Sequence, residues 1–255
     1  MKFFDTHAHY NDEVYKENLS ETLKKCVEAG VDKIINVGYN KESSIKSIEL
    51  SKIYDYMYAV IGIHPHDVFK DKAVDIYDIY QKNKDEKIVA IGEIGLDYAF
   101  VSDNKIEQKK LFIEQIELAN TLKLPIVVHT RDASLDTYNV LKENKAEYGT
   151  LLHCFNPTDD LVRLVLKNEY KVAFGGNITY KRTNSFQEYL KMIPINQIVI
   201  ETDCPYLAPV PYRGTVNSSA NLPLICKKLS EYKEIEYDIV AKQVYENSCD
   251  FFNIK

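Results

Sequence analysis

Short apolar runs alternate with longer amphipathic stretches along the whole chain. The runs are rich in Val and Ile and predict eight strands, at Phe3–Phe4, Lys33–Val37, Met57–Ile63, Ile88–Ile91, Pro125–Val128, Thr150–Leu152, Lys171–Phe174 and Gln197–Ile200. Apolar residues at helical spacing predict helices between them, most clearly at Asn18–Ala29, Lys105–Leu122, Leu161–Leu166 and Tyr237–Phe252. Strands that alternate with helices predict right-handed βαβ units and therefore a parallel sheet.

Eight such units within 255 residues match the (β/α)8 TIM barrel in number and in length. No linker, low-complexity tract or block of charge divides the chain, so we expect a single α/β domain over residues 1–255. A doubly wound open sheet is the alternative. Such sheets usually have a glycine-rich first turn, and the segment His7-Ala8-His9-Tyr10 is not glycine-rich.

The composition indicates a protein that folds without disulfide bonds. Hydrophobic residues make up 45% of the chain, and the five cysteines are widely spaced without a C-x-x-C pair, so we expect reduced thiols. The first residues lack the apolar core of a secretory signal, and no run approaches the roughly 18 apolar residues that span a bilayer. We therefore expect a cytoplasmic protein without a membrane partner.

The net charge argues against a general attraction to nucleic acid. The chain carries 32 basic and 38 acidic residues, a formal charge of -6. Proteins that bind nucleic acid by releasing its counterions are usually basic. Any affinity for phosphate must therefore come from local groups, above all from bound cations.

All six histidines fall at the carboxyl end of a predicted strand or just beyond it. They are His7, His9, His64, His66, His129 and His153. Glu93 closes the apolar run KIVAIGE, and Asp203 closes QIVIETD. Imidazoles and carboxylates in such positions are costly to bury without a cation or a partner.

These residues predict a metal centre. Alternation places His7 and His9 on one face of the first strand, where they can share an ion. Glu93, His129, His153 and Asp203 follow predicted strands 4, 5, 6 and 8, whose ends converge at the top of a barrel. Four imidazoles and two carboxylates suffice for two divalent ions, and Glu93, halfway round the ring, is the expected bridge. Two ions suit phosphoester hydrolysis, so the sequence predicts a metal-dependent hydrolase.

The motifs resemble those of the TatD-type metal-dependent deoxyribonucleases, a family of amidohydrolase-like barrels. The matching segments occur in order along essentially the whole chain. They are DTHAHY at 5–10, GIHPH at 62–66, GEIGLDY at 92–98, PIVVHTRDA at 125–133, LLHCF at 151–155 and ETDCPYLAPVPYRG at 201–214.

The resemblance implies a TIM barrel with two metal ions and nuclease activity, commonly 3′-to-5′ trimming of DNA, with RNA also possible. It implies one ion held by His7, His9, Glu93 and Asp203 and another held by Glu93, His129 and His153. Nucleic acid with single-stranded ends would then be the substrate, and no obligate protein partner is implied. The ligand types admit Zn, Mn, Fe or, less comfortably, Mg.

A water activated by the ions is the expected nucleophile, with Asp203 and Glu93 as the catalytic residues. Asp203 would accept the proton of that water as general base. An alternative role for Asp203 is to cap the helix after strand 8. Asp97 is expected to support a ligand histidine through a hydrogen bond.

Four residues are predicted substrate contacts: His64, Arg131, Arg213 and Tyr98. An imidazole can hydrogen-bond a phosphate oxygen, and the resemblance also implies this role for His64. His66 could have the same role, or could form a structural hydrogen bond within its loop. Arginine offers planar donors to phosphate, although Arg131 has an alternative partner in Asp97 or Asp132. Tyr98, like Tyr206, is a candidate platform for a nucleobase.

The chain departs from the family pattern after LAPVP. The family usually has His-Arg-Gly and then Asn-Glu-Pro, whereas this chain has Tyr212-Arg213-Gly214 and Asn217-Ser218-Ser219. None of these is a predicted metal ligand, so we expect hydrolysis to persist; the departure bears on the choice of substrate and on the binding of an oligonucleotide.

Three alternatives remain open at this point. An amide, lactone or phosphotriester hydrolase would keep the metals, but such enzymes often bridge them with a modified lysine on strand 4, where this chain has Glu93. A non-catalytic binding protein is disfavoured by the complete ligand set. A small-molecule phosphatase fits the acidic charge slightly better than a nuclease of long duplexes.

Overall fold

The structure is a computed structural model that describes residues 1–84, 86–99 and 103–255. Its eight strands form one sheet in which every neighbouring pair is parallel and the order follows the sequence. They are β1 (Phe3–Ala8), β2 (Val31–Val37), β3 (Met57–Ile61), β4 (Ile88–Asp97), β5 (Ile126–Arg131), β6 (Thr150–Leu152), β7 (Lys171–Phe174) and β8 (Ile198–Ile200).

The sheet curls until the ends of its first and last strands meet. Just beyond β8, the N–H of Asp203 donates to the carbonyl of His7 at 2.9 Å, and the N–H of His9 donates to the carbonyl of Cys204 at 2.8 Å. A parallel bridge joins Ala8 to Cys204. The predicted (β/α)8 architecture is therefore confirmed, and the doubly wound alternative is wrong, since its strand order would reverse within the sheet.

Helices alternate with the strands, and the four that the sequence predicts most clearly are present with bounds shifted by at most two residues. The α-helices of the described residues are α1 (Leu19–Glu28), α2 (Lys41–Ile53), α3 (Ala73–Lys82), α4 (Lys105–Leu122), α5 (Ser134–Glu143), α6 (Asp159–Asn168), α7 (Asn184–Met192), α8 (Leu222–Lys233) and α9 (Tyr237–Phe252). None of them is both long and apolar enough to cross a membrane.

Four strands extend beyond their apolar runs: β2 at its start, and β1, β4 and β5 at their carboxyl ends. β1 continues to Ala8 and β4 to Asp97, so Glu93 lies inside β4 and not at its end as predicted. Buried polar residues interrupt the hydrophobic pattern of β1 and β4, and for this reason the sequence-based prediction ended these two strands too early. The pairing of β4 with β5 shifts register between Ile91 and Ile94. Gly95 follows with φ +141°, and a Cβ there would lie 2.0 Å from the carbonyl oxygen of His129, so only glycine allows this approach.

The barrel interior is filled by apolar side chains from every strand. Phe4, Ile35, Val37, Val60, Ala90, Val127, Leu151, Ala173 and Val199 form one buried cluster with Phe252 and Ile254 from the end of the chain. A larger cluster packs the helices against the outside of the sheet. Because each buried Val, Leu or Ile contributes about 1.5–3 kcal/mol, these two layers stabilise the frame that carries the polar residues at the carboxyl ends of the strands.

Candidate metal centre

The structure brings together all six predicted metal ligands. His7 lies in β1 and His9 follows it; Glu93 lies in β4 and His129 in β5; His153 follows β6 directly, and Asp203 lies three residues beyond β8. The five strands are those that the sequence predicts, and the ligands lie at or just beyond their carboxyl ends except Glu93, which lies within β4. His7, His9, Glu93 and His153 are all buried.

Glu93 stands between two pairs of histidines. Its Oε1 lies 2.6 Å from His129 Nδ1 and 2.8 Å from His153 Nε2. Its Oε2 lies 3.4 Å from His7 Nε2 and 3.8 Å from His9 Nε2. Each oxygen of one carboxylate therefore faces a different pair of imidazoles.

Asp203 completes the first of these pairs. Its Oδ1 lies 3.4 Å from His9 Nε2 and 3.9 Å from His7 Nε2. The segment after Asp203 contains no α-helix until α8 begins at Leu222, so the alternative in which Asp203 caps a helix has no support here.

The spacing and chemistry of these atoms fit divalent cations. His7 Nε2 and His9 Nε2 are 3.2 Å apart, and His129 Nδ1 and His153 Nε2 are 3.1 Å apart. Two nitrogens that bind the same tetrahedral ion at about 2.0–2.1 Å are necessarily about 3.3 Å from each other. Imidazole nitrogens combined with carboxylate oxygens are typical ligands of zinc and related transition metals.

Hydrogen bonds behind the centre orient two of the histidines. His9 Nδ1 lies 3.0 Å from the carbonyl oxygen of Val37, and His129 Nε2 lies 3.1 Å from Asp97 Oδ2. Because a carbonyl and a carboxylate only accept, we assign the ring hydrogen of each histidine to that nitrogen. The lone pair of the other nitrogen then faces the centre, which is the state that binds a cation. The predicted support by Asp97 agrees with this geometry.

His64 has the opposite orientation. Its Nδ1 accepts the N–H of His66 at 3.2 Å, so the ring hydrogen belongs on Nε2, which lies 3.8 Å from Glu93 Oε1. Burial lowers the pKa of His64 to about 3, so the ring is neutral at neutral pH. His64 thus presents an N–H to the centre, and this suits contact with an anionic oxygen better than it suits binding of a cation.

The carboxylates of the centre are held in their charged form. Burial raises the pKa of Glu93, but the adjacent His153 and His129 outweigh burial and leave that pKa well below its usual range. Burial also raises the pKa of Asp203, but the neighbouring His9, His153 and His7 lower it overall. Ionised carboxylates are the form that binds cations.

Glu201 is a buried carboxylate at this site that the sequence analysis did not single out. It follows β8 directly, and its Oε1 accepts the N–H of Cys154 at 2.6 Å and lies 3.7 Å from His153 Nδ1. Its Oε2 has no hydrogen-bond partner among the described residues. The signal was present in the segment Glu201-Thr202-Asp203, since residues two apart in extended chain face the same side.

The altered segment after β8 is partly structural. Asp5 is fully buried, and it accepts hydrogen bonds from Thr202 Oγ1 and Ser219 Oγ, both at 2.6 Å. Asn217 Nδ2 donates to the carbonyls of Thr202 and Tyr206. Asn217 and Ser219 therefore fasten the loop that carries Asp203. The part of this segment that is exposed and free to contact a substrate is Tyr212 to Gly214.

The other predicted substrate contacts lie around the rim. Arg131 is exposed at the end of β5, opposite Asp97 in the strand register. The Tyr98 hydroxyl donates to Asp136 at 2.8 Å, and the Lys105 ammonium lies 4.4 Å from the Tyr98 ring, so this ring already has a partner on one face. The Tyr206 ring is 6.4 Å from the His9 ring and half exposed. Arg213 is exposed over Tyr180.

Comparison with known proteins identifies the family. The sequence profile described as "TatD related DNase" matches residues 4–253. The chain belongs to the TatD family. It is 37% identical to the uncharacterized metal-dependent hydrolase YabD of Bacillus subtilis, over 98% of this chain and 99% of that protein. It is 34% identical to an uncharacterized metal-dependent hydrolase of Buchnera aphidicola, over 100% of this chain and 97% of that protein.

Solved structures of TatD proteins have the same architecture. The crystal structure of YJJV, a TatD homologue from Escherichia coli, superposes with a TM-score of 0.91 at 27% identity and covers 99% of this chain and 98% of its own. A TatD family hydrolase from Entamoeba histolytica superposes with a TM-score of 0.87 at 24% identity, over 98% of both chains. This TatD chain is therefore a metal-dependent hydrolase with a TIM barrel.

Proposed function

We propose that this TatD protein hydrolyses phosphodiester bonds of nucleic acid, as a deoxyribonuclease that removes nucleotides from single-stranded 3′ ends of DNA and also acts on RNA. The observation that carries the proposal is the position of Glu93, whose two oxygens face two separate pairs of histidines. A carboxylate in that position suits a bridge between two divalent ions. Paired ions are suited to phosphodiester cleavage, since they stabilise both the attacking and the leaving oxygen.

In this proposal His7, His9, Glu93 and Asp203 hold one cation, and Glu93, His129 and His153 hold the other. When bound, the cations would lower the pKa of water and neutralise charge on the phosphate. Zn, Mn, Fe and Mg are the ions to test, because the ligands are imidazoles and carboxylates.

Asp203 acts as the general base. Its carboxylate is ionised at neutral pH and lies beside His9 and His7 at the centre, so one oxygen can hold the cation while the other takes a proton from a water that attacks the phosphorus. Glu93 is the second catalytic residue because it positions both histidine pairs around one reacting phosphate.

His64 binds the substrate. Its Nε2–H points toward the centre from the side of Glu93 Oε1 and donates to a non-bridging phosphate oxygen. Arg131 and Arg213, on the carboxyl-end face of the barrel, contact phosphates further along the strand. Tyr206, half exposed beside His9, is the better-placed base platform, and Tyr98 is a weaker one because Lys105 covers one face.

The test incubates the metal-loaded protein with 3′-labelled single-stranded DNA, with RNA, with bis(p-nitrophenyl) phosphate and with p-nitrophenyl acetate. We expect cleavage of the first three substrates, loss of cleavage on chelation, and recovery when the ion is returned. Cleavage of the carboxyl ester alone would reject the phosphodiesterase in favour of an ester hydrolase on the same barrel.

Variants assign the roles. Glu93→Gln and Asp203→Asn each weaken the binding of a cation that would stabilise the transition state by several kcal/mol, so we expect at least about a hundredfold loss of kcat. Glu117→Gln changes the same kind of residue on the exposed surface of α4 and serves as the control. Full activity in Glu93→Gln would contradict the bridging role.

A further inference from the structure

Arginine is rare in this chain, and its positions are not random. Only four of the 32 basic residues are arginines. Arg131 ends β5, Arg182 follows β7 and Arg213 follows β8, which places all three on the carboxyl-end face; Arg163 lies in α6 on the outside. Most basic residues of the chain are lysines, whereas three of the four arginines, which are planar bidentate donors, lie on the same face as the proposed metal centre.

Arg182 is held in the loop between β7 and α7. Its Nε donates to the carbonyl of Asn177 at 2.9 Å, and its guanidinium carbon lies 4.5 Å from the centre of the Phe186 ring. Asn177 Nδ2 also donates to the sulfur of Cys154 at 3.3 Å. Cys154 follows the proposed ligand His153 in sequence. This hydrogen bond therefore connects the loop that carries Arg182 to the edge of the proposed metal centre.

Tyr180 connects this loop to the loop after β8. Its N–H bonds the same Asn177 carbonyl that Arg182 uses, and its hydroxyl donates to the carbonyl of Ala208 at 2.8 Å. The guanidinium carbon of Arg213 lies 4.6 Å from the centre of the Tyr180 ring. Tyr180 therefore contacts Arg213 with its ring and shares the Asn177 carbonyl with Arg182, so it joins the two loops that carry these arginines.

Neither guanidinium has a carboxylate partner. Among the described residues, no Asp or Glu lies within ion-pair distance of Arg182 or Arg213. Arg182 is half-buried, and a cation removed from water is costly unless a counter-charge approaches it. The chain has 38 acidic residues that could supply one. The missing counter-charge therefore points to an anionic ligand.

We propose that Arg182 and Arg213, in the two loops that Tyr180 joins, form a second anion-binding subsite. It takes a phosphate group of the substrate other than the one cleaved at the metal centre. Loops after strands 7 and 8 are a common place for phosphate binding in TIM barrels. The inference rests on the proposed function, since it requires a substrate with at least two phosphates.

The test compares three dinucleotides that differ only in a terminal phosphate: TpT, pTpT and TpTp. The wild-type protein should have a higher kcat/KM for one of the two phosphorylated forms than for TpT, and the preferred form tells on which side of the cleaved bond the subsite lies. Arg182→Gln should reduce kcat/KM for that form about tenfold more than for TpT, as expected for loss of a charge-assisted hydrogen bond. Arg163→Gln, on the outside of the barrel, should leave the ratio unchanged.

A double variant tests whether the two arginines act on the same group. If both bind one phosphate, Arg182→Gln combined with Arg213→Gln should lower the ratio by less than the product of the two single effects. Equal losses for TpT and the phosphorylated forms in Arg182→Gln, or no wild-type preference among the three, would overturn the subsite.

A failure of the proposed function gives a different result. If the wild-type protein cleaves none of the three dinucleotides, the phosphodiesterase proposal fails. Calorimetric titration with pTpT, TpTp and TpT then decides the subsite alone. The subsite requires tighter binding of one phosphorylated form than of TpT in the wild type, with that difference lost in Arg182→Gln and kept in Arg163→Gln. Identical affinities in the wild type reject it.

Discussion

Replacing Asp97 by Asn should weaken cation binding by changing the tautomer of one ligand histidine, His129. Asp97 is buried, its Oδ1 accepts the N–H of Ala99 at 2.9 Å, and its Oδ2 lies 3.1 Å from His129 Nε2. Gln108 holds the main chain of residue 97 through two further hydrogen bonds, so an Asn side chain should stay in the same place.

The substitution changes which nitrogen of His129 carries the hydrogen. If the Asn oxygen keeps the bond from Ala99, its NH2 group faces His129 Nε2, which must then accept. The ring hydrogen moves to Nδ1, the nitrogen that faces Glu93, and the lone pair needed for the cation is lost. The wild-type carboxylate does not allow this, because the hydrogen bond from His129 helps to lower the Asp97 pKa to about 2 against the effect of burial.

The magnitude follows from one hydrogen bond to a buried charge. Such a bond contributes about 1.5–3 kcal/mol. Since about 1.4 kcal/mol corresponds to a factor of ten, we expect a loss of about 10- to 150-fold in affinity for the cation bound by His129 and His153. The affinity of the site formed by His7, His9 and Asp203 should change much less.

Competition with a calibrated chelator, monitored by calorimetry, measures the two affinities separately. Asp136→Asn is the matched control, because Asp136 also accepts hydrogen bonds near the rim, from Tyr98 and Lys109, but contacts no proposed ligand. Unchanged affinities in Asp97→Asn, or an equal loss in Asp136→Asn, would refute the reasoning from the His129 tautomer.

Two further predictions concern stability. Ser219→Ala removes a bond to the fully buried Asp5, so the free energy of unfolding in urea should fall by about 1.5–3 kcal/mol, whereas Ser20→Ala on the exposed side of α1 should change it by less than about 0.5 kcal/mol. Asp32 accepts hydrogen bonds from two lysines and from Tyr245, which lower its pKa despite partial burial. The ionised Asp32 side chain stabilises the folded state fully above the unfolded pKa of about 3.9, and this stabilisation is lost as pH falls through the lower folded pKa. Asp32→Asn should therefore lower the free energy of unfolding in urea by about 0.5–1 kcal/mol at pH 7 and by less at pH 3.

The meeting of the six proposed ligands was predictable, because imidazoles and carboxylates are concentrated where apolar runs end. Imidazoles and carboxylates at the ends of apolar runs are improbable unless they share a site, and barrel topology then brings them together without knowledge of any distance. The sequence could not show that β4 continues beyond Glu93. A buried carboxylate within a strand looks like the end of that strand, and the close approach of Gly95 to the main chain of His129 is visible only in the structure.

The supporting residues were harder to predict for a different reason. Asp5 and Glu201 are carboxylates beside predicted ligands in sequence, and such neighbours are usually exposed. Their roles arise from partners far away in the chain: Asp5 bonds Ser219, and Glu201 bonds the main chain at Cys154. A single sequence contains no record of those pairings, so they become visible only when the loops are placed in space.

The histidines show how the fold assigns different tasks to one type of side chain. His9 and His129 each donate one ring N–H to a group that can only accept, so the other nitrogen presents a lone pair to the centre. His64 instead receives a main-chain N–H, because it precedes the short helical turn Pro65–Asp67, and it presents an N–H. The difference lies in the backbone around each ring and not in the residue type. In the proposed site, His9 and His129 can therefore bind a cation while the neighbouring His64 binds an anionic oxygen. The hydrogen bonds of each ring fix the tautomer that this requires.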